Sequence, residues 1–182
     1  MKKGYQDIHK HLIEACKRGQ SKAQFEIYNL YAKAMYNVAF RILKNSFEAE
    51  DIMQESFLKA FQKLNSFSGD VSFGAWLKKI VVNASLDTIR KKKLEFENID
   101  DANFIEIEDE VDEEKSSEYE LQKVRDAILL LSDGYRIVLS LYLLEGYDHD
   151  EIAEITGISA STSRSQLARA KKKLLEIIKT ID

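Results

Sequence analysis

Apolar residues recur three and four positions apart through most of this chain, the spacing that lines one face of an α-helix. Residues 8–17 carry one such repeat. Residues 23–43 carry a longer one, with Phe25, Tyr28, Leu30, Tyr31, Ala34, Met35, Val38, Ala39 and Ile42. A third predicted helix begins near Ser46 or Glu48 and runs to Leu64. It turns Ile52, Met53, Phe57, Ala60, Phe61 and Leu64 inward and Asp51, Glu55, Lys59 and Gln62 outward. The cluster Asn65-Ser66-Phe67-Ser68-Gly69-Asp70 predicts a turn. A fourth helix follows with Phe73, Trp76, Leu77, Ile80, Ala84 and Ile89 on its core face, and it ends in the basic run Arg90-Lys91-Lys92-Lys93. Helical periodicity returns over residues 119–131, 135–144, 150–156 and 161–178. No unit of 20 to 50 residues repeats, which excludes a solenoid.

Composition narrows this pattern to an all-α fold. The 182 residues include no proline and seven glycines, so the residues that end helices and build β-turns are scarce. Charge then divides the chain. Residues 95–120 hold 13 acids and one base, so the net charge of -4 conceals a basic remainder. The acidic stretch repels itself and cannot collapse alone. The expected organisation is two small helical domains, residues 1–93 and 119–182, joined by an acidic linker at 94–118. The linker's Phe96, Ile99, Phe104, Ile105 and Ile107 leave two readings open: a solvated spacer, or a segment that docks weakly on a basic or apolar surface. The basic blocks on either side have the electrostatic footprint of phosphate-backbone binders. One cysteine, Cys16, excludes an intramolecular disulfide and a cysteine-cluster zinc site, and its helical setting reads as packing. With no apolar run of membrane-spanning length and no apolar stretch at Met1 to Asp7, the expectation is a cytoplasmic protein with no membrane insertion.

Residues 147–170 have the layout of a helix-turn-helix. Asp148 is placed to cap the first helix, with Glu151 three residues on as its reciprocal partner. Ala153 is small where two helices must cross, and Gly157 takes the positive φ of a tight turn at no steric cost. Ser159 or Ser161 caps the next helix. Its exposed positions are Ser161, Thr162, Arg164, Ser165, Gln166 and Arg169, with Leu167, Leu174 and Leu175 toward the core. Hydroxyls, an amide and arginines reach base edges and phosphates, and Lys171, Lys172 and Lys173 add backbone charge. His149 between two aspartates does not make a metal site, because successive residues at a helix start point in different directions, and capping explains the acids.

Four motifs in register make the chain resemble the extracytoplasmic-function group of sigma factors in the sigma-70 family. These are Ala49-Glu50-Asp51-Ile52-Met53-Gln54-Glu55-Ser56-Phe57-Leu58-Lys59-Ala60-Phe61; Phe67-Ser68-Gly69-Asp70 with Phe73-Gly74-Ala75-Trp76-Leu77; Asn83 with Asp87 and Arg90; and the helix-turn-helix. The first block is similar to sigma region 2 and the second to region 4. The resemblance implies a subunit that binds RNA polymerase core and directs promoter-specific initiation, with no catalytic residues, cofactor or metal of its own.

It further implies that Asp51, Gln54, Glu55, Phe57 and Lys59 meet the clamp coiled coil of the largest polymerase subunit, and that the flap of the second-largest subunit is also a partner. The minus-ten element, with a flipped base of the non-template strand, falls to Phe67, Ser68, Gly69, Asp70, Val71, Ser72 and Phe73, with Asn83 reading from the helix. Lys78, Lys79, Arg90 and Lys91 are the expected phosphate contacts there. The spacing of Phe73, Trp76 and Ile80 favours core packing over base stacking. The minus-thirty-five element falls to Ser161, Thr162, Arg164, Ser165, Gln166, Arg169, Lys171 and Lys172. An anti-sigma factor is a further implied partner. Two positions depart from the family pattern. Ser163 stands where an apolar β-branched residue is common, which weakens anchoring of the recognition helix, and Gln166 stands where arginine is frequent, which changes the sequence read. A stand-alone helix-turn-helix regulator is the competing reading, since it uses the same C-terminal motif.

Overall fold

A computed structural model describes residues 8–96 and 116–180. Among them every regular element is helical. The chain divides into two compact units, Met1–Ile89 and Arg90–Asp182.

The first unit contains α1 (Lys10–Lys17), α2 (Ser21–Leu43), α3 (Ser46–Gln62), a single 3-10 turn (Leu64–Ser66) and the greater part of α4 (Phe73–Phe96). Asn45 decides where α3 starts: its side-chain oxygen accepts a hydrogen bond from the Glu48 N–H at 3.1 Å, satisfying one of the amides a helix start leaves open. The core is built from Ile27, Met35, Val38, Ala39 and Ile42 of α2, Ala49, Met53, Phe57 and Ala60 of α3, and Phe73, Leu77, Val81 and Val82 of α4. Alanines at 39, 49 and 60 are wholly buried, and their small side chains allow close helix approach. At the α4 start, the Phe67 and Phe73 rings meet edge-on at 5.8 Å, and Trp76 lies 5.2 Å from Phe67 and 5.7 Å from Phe73. Each such pair adds about 0.5–1.5 kcal/mol beyond the area it buries. Phe25 and Leu30, expected in the α2 apolar repeat, are exposed instead. Phe25 sits two residues and Leu30 one residue away from the inward stripe that holds Ala23, Ile27 and Tyr31.

The second unit contains α5 (Ser116–Leu129), α6 (Asp133–Leu139), a π-helical turn (Ser140–Leu144), α7 (His149–Thr156) and α8 (Ala160–Thr180). Ala127, Ile128, Leu131, Val138, Leu139, Leu141, Ile152, Leu167 and Ala170 form its core, and α8 packs against α5, α6 and α7. The helix expected over residues 135–144 ends in the π turn, which leaves Leu143 and Leu144 outward. Leu175 is also outward, at 60% exposure, contrary to its expected core role. The inner stripe of α8 runs through positions 163, 167, 170 and 174, and 175 lies beside it. Arg136 is buried, and its guanidinium donates to the Leu131 carbonyl at 3.2 Å and to Asp133 Oδ1 at 2.8 Å. It thereby holds the turn between α5 and α6. Burial pushes its pKa down and Asp133 partly offsets this.

Of the expected linker at 94–118, α4 and α5 take up three residues at each end. Residues 97–115, with Ile99, Phe104, Ile105 and Ile107, lie outside the described residues.

Candidate functional site

The helix-turn-helix is assembled by local interactions. Asp148 Oδ1 accepts from the N–H groups of Asp150 (2.9 Å) and Glu151 (2.8 Å), while Glu151 Oε2 accepts from the Asp148 N–H at 2.9 Å. This reciprocal box starts α7, and burial of Ile152 and Ile155 seats it. Gly157 ends α7 at φ 78°, donating its N–H to the Ala153 carbonyl at 2.9 Å. Ser159, rather than Ser161, caps α8: its hydroxyl accepts from the Thr162 N–H at 3.0 Å.

On α8 the exposed residues are Ser161, Thr162, Arg164, Ser165, Arg169, Lys171 and Lys172, while Gln166 is half-buried beside Gly134. Thr162 Oγ1 is 2.8 Å from the Ser159 hydroxyl, and Ser165 Oγ donates back to the carbonyls of Ser161 and Thr162. The short hydroxyls are thereby oriented locally, and the two arginines carry the reach. On the opposite side Ser163 is fully buried, and its Oγ lies 2.9 Å from His149 Nδ1. The imidazole is in turn stacked on Tyr142, centroids 4.6 Å apart and planes 22° apart. The loosened recognition helix expected from Ser163 is therefore not what its surroundings show: a directional hydrogen bond stands where an apolar contact was expected. Among the described residues no group of three or more His, Cys, Asp or Glu is arranged to hold a metal ion.

In the first unit, the loop before α4 corrects two assignments. Phe67 and Phe73 are buried in the aromatic cluster, so neither ring is open to a nucleobase; they support the loop rather than read from it. Ser68, Asp70 and Val71 are exposed, with Gly69 between them at φ 81°. Ser68 Oγ donates to Asp70 Oδ2 at 2.7 Å, and Ser72 Oγ accepts from the Ala75 N–H at 3.1 Å, which caps α4. Along α4, Lys79, Asn83, Asp87, Arg90 and Lys91 are exposed at three- and four-residue spacing, one continuous face; Lys78 is half-buried.

On α3, Asp51, Gln54, Glu55 and Lys59 are exposed, and Gln54 donates to Glu50 at 3.2 Å. Phe57 is 2% exposed and packs on Tyr28 at 4.9 Å and Phe61 at 6.1 Å, so it belongs to the core and not to a partner surface. Its neighbour Leu58, which sequence reasoning passed over, is 64% exposed and lies three and four residues from Glu55 and Gln54 on the acidic face. A leucine interrupting an otherwise charged stripe was the available signal.

Comparison with known proteins decides among the folds that carry such a motif. Residues 27–95 match Sigma-70 region 2 and residues 121–174 match Sigma-70 region 4. The chain is 31% identical over 172 residues to the ECF RNA polymerase sigma factor SigW of Bacillus subtilis, covering 89% of this chain and 92% of that one. The chain is an ECF sigma factor. It is also 28% identical to the ECF RNA polymerase sigma-E factor of Haemophilus influenzae, over 90% of this chain and 91% of that one. Among solved structures it resembles the sigma factor RpoE of Bartonella quintana in complex with the anti-sigma factor NepR, at TM-score 0.64 and 26% identity, over 85% of this chain and 95% of that one. The two units are thus sigma regions 2 and 4, and the protein directs RNA polymerase to promoters without being an enzyme itself. Region 4 carries the DNA-binding helix-turn-helix. Among the described residues no helix is long and apolar enough to cross a membrane.

Proposed function

We propose that this sigma factor divides its work among three surfaces. The face of α3 formed by Asp51, Gln54, Glu55, Leu58 and Lys59 docks on the clamp coiled coil of the largest polymerase subunit, with Leu58 as apolar anchor among the polar groups. The loop Ser68, Gly69, Asp70, Val71 and Ser72, with Asn83, receives an unpaired base of the minus-ten element, and Lys78, Lys79, Arg90 and Lys91 neutralise the strand's phosphates. In region 4, Arg164, Arg169 and the hydroxyls of Ser161, Thr162 and Ser165 face the minus-thirty-five duplex, with Gln166 at the edge of the contact and Lys171 and Lys172 on phosphates. Leu143 and Leu144, each 48% exposed, offer region 4 an apolar contact for the polymerase flap. The observation that carries the reading is the segregation of α8: every proposed base-reading residue except Gln166 is exposed, while Ser163, Leu167 and Ala170 are buried on the other side. The protein acts in the cytoplasm, and by likeness to the Bartonella quintana complex an anti-sigma factor restrains it.

The test separates the surfaces. Asp51→Ala with Leu58→Ala should weaken binding to core polymerase at least tenfold and leave region 4 contacts unchanged. Asn83→Ala should slow promoter opening with core affinity intact. Arg164→Ala and Arg169→Ala should relax the minus-thirty-five preference, each good bidentate contact being worth roughly 1–3 kcal/mol. Unchanged core affinity in the first variant overturns the docking surface; an unchanged preference in the last two removes them from base readout.

A further inference from the structure

We propose that the hydrogen bond between His149 and Ser163 sets the rotation of the recognition helix, making these two buried-side groups positioning residues for minus-thirty-five specificity. The inference rests on the assignment of α8 as the reader of that element.

Ser163 is the fourth residue of α8 and has no exposed surface, so its hydroxyl must find a partner inside the protein. The partner is His149 Nδ1 at 2.9 Å, and which atom donates follows the imidazole tautomer. His149 is the first residue of α7, and the ring is held flat against Tyr142 of the π turn. One imidazole therefore joins three elements: the π turn through its face, α7 through its backbone and α8 through its edge. Along α8 the remaining inward residues near the turn are Leu167 and Ala170. Aliphatic contacts of that kind are non-directional, and they allow a helix to roll by small angles at little cost. A hydrogen bond does not, because its strength falls steeply with angle.

The roll matters because Arg164 follows Ser163 directly. At a side-chain radius of about 5–6 Å, a roll of about 20° carries the α8 surface by about 2 Å. That shift separates a donor from a base edge while leaving the lysine contacts with phosphates largely intact. Loss of the lock therefore predicts loss of sequence preference at nearly constant overall affinity.

Threonine and valine at position 163 have the same shape and differ in the hydroxyl alone, so they isolate the bond from the volume. The probe is a library of duplexes randomised across the upstream element, selected with polymerase holoenzyme assembled from the full-length chain. The wild-type protein and Ser163→Thr should enrich the same motif to the same degree. Ser163→Val and His149→Phe should each lower that enrichment about fivefold, the equivalent of one hydrogen bond's net contribution. Selection from a library randomised across the downstream element should not change. The double variant His149→Phe with Ser163→Val removes the same single bond and should therefore lower the enrichment no further than either single variant does. Far-UV circular dichroism and thermal unfolding confirm that each variant is folded; if Ser163→Val is not, His149→Phe against the wild type and Ser163→Thr gives the same comparison. Equal enrichment by threonine and valine, or additive losses in the double variant, overturns the lock. Absence of any upstream motif in the wild-type selection instead overturns the assignment of α8 itself.

Discussion

Replacing Gly157 by alanine tests the helix-turn-helix at its tightest point. Gly157 sits at φ 78°, and a Cβ built there meets nothing within 4 Å. The whole cost of the substitution is therefore conformational. Holding an L-residue in the left-handed region costs about 1–2 kcal/mol. Stiffening the unfolded chain returns about 0.4–1 kcal/mol. The net loss is about 1 kcal/mol, which shifts the folded-to-unfolded ratio of region 4 about fivefold. Gly134 supplies a control of opposite sign. It lies within α6 with an ordinary φ, and its added Cβ would make van der Waals contact with the Gln166 amide at 3.7 Å. Gly134→Ala should be neutral or stabilising by up to about 0.5–1 kcal/mol, since glycine is a poor helix former. Urea unfolding followed by far-UV circular dichroism measures both. Trp76, the chain's single tryptophan, lies in region 2, so its fluorescence midpoint should stay fixed in both variants. Equal stability of Gly157→Ala and the wild type, or a loss for Gly134→Ala as large as for Gly157→Ala, would refute the conformational reasoning. Gly157→Asn should fall between glycine and alanine, because asparagine tolerates the left-handed region.

Phe57→Ala removes a ring packed on Tyr28 and Phe61 and should cost region 2 about 3–5 kcal/mol, read as a lowered urea midpoint of Trp76 fluorescence. Leu58→Ala next to it should stay within about 0.5 kcal/mol, and similar costs for the two would contradict their opposite burial. Arg136→Ala should destabilise region 4 by about 2–4 kcal/mol, because it empties a buried volume and takes the guanidinium from the Leu131 carbonyl. Asp133 is 65% exposed, so Asp133→Ala should cost about 0–1 kcal/mol; equal losses would make the ion pair, not the buried hydrogen bond, the dominant contribution. Burial, reinforced by Glu145 and Glu151, pushes the Tyr147 phenol up to about 12. An unfolded tyrosine ionises near pH 10, so the native state keeps this proton longer; its contribution to stability is full below about pH 10 and is lost as pH rises toward the folded value. Ultraviolet titration of the wild type against Tyr147→Phe should show the missing tyrosinate step near 12, and a difference at ordinary tyrosine pH would refute the burial.

What the sequence by itself determined is what neighbouring residues decide among themselves. The capping box of Asp148 and Glu151 and the glycine that ends α7 are short-range features that appear in the structure where the sequence placed them. The serine cap of α8 falls to one of its two candidates, and the three- and four-residue apolar spacing holds with exceptions at Phe25, Leu30 and Leu175. The four motifs in register were enough to point to the family. Tertiary structure decided what depends on how helices cross. The inward place of Phe57 was legible in the apolar spacing, whereas the exposure of its apolar neighbour Leu58 on the acidic face follows from the packing of α3 on α2. Phe67 is a turn residue in sequence, and only the fold closes it into a cluster with Phe73 and Trp76, whose core spacing was already legible. Arg136 carries a charge that local reasoning places in water, yet the turn at Leu131 encloses it. His149 and Ser163, 14 residues apart, meet because the tight turn folds α7 back on α8. Helix formation is governed by interactions over about one turn of chain, whereas the pairing of faces depends on crossing angles to which every helix contributes.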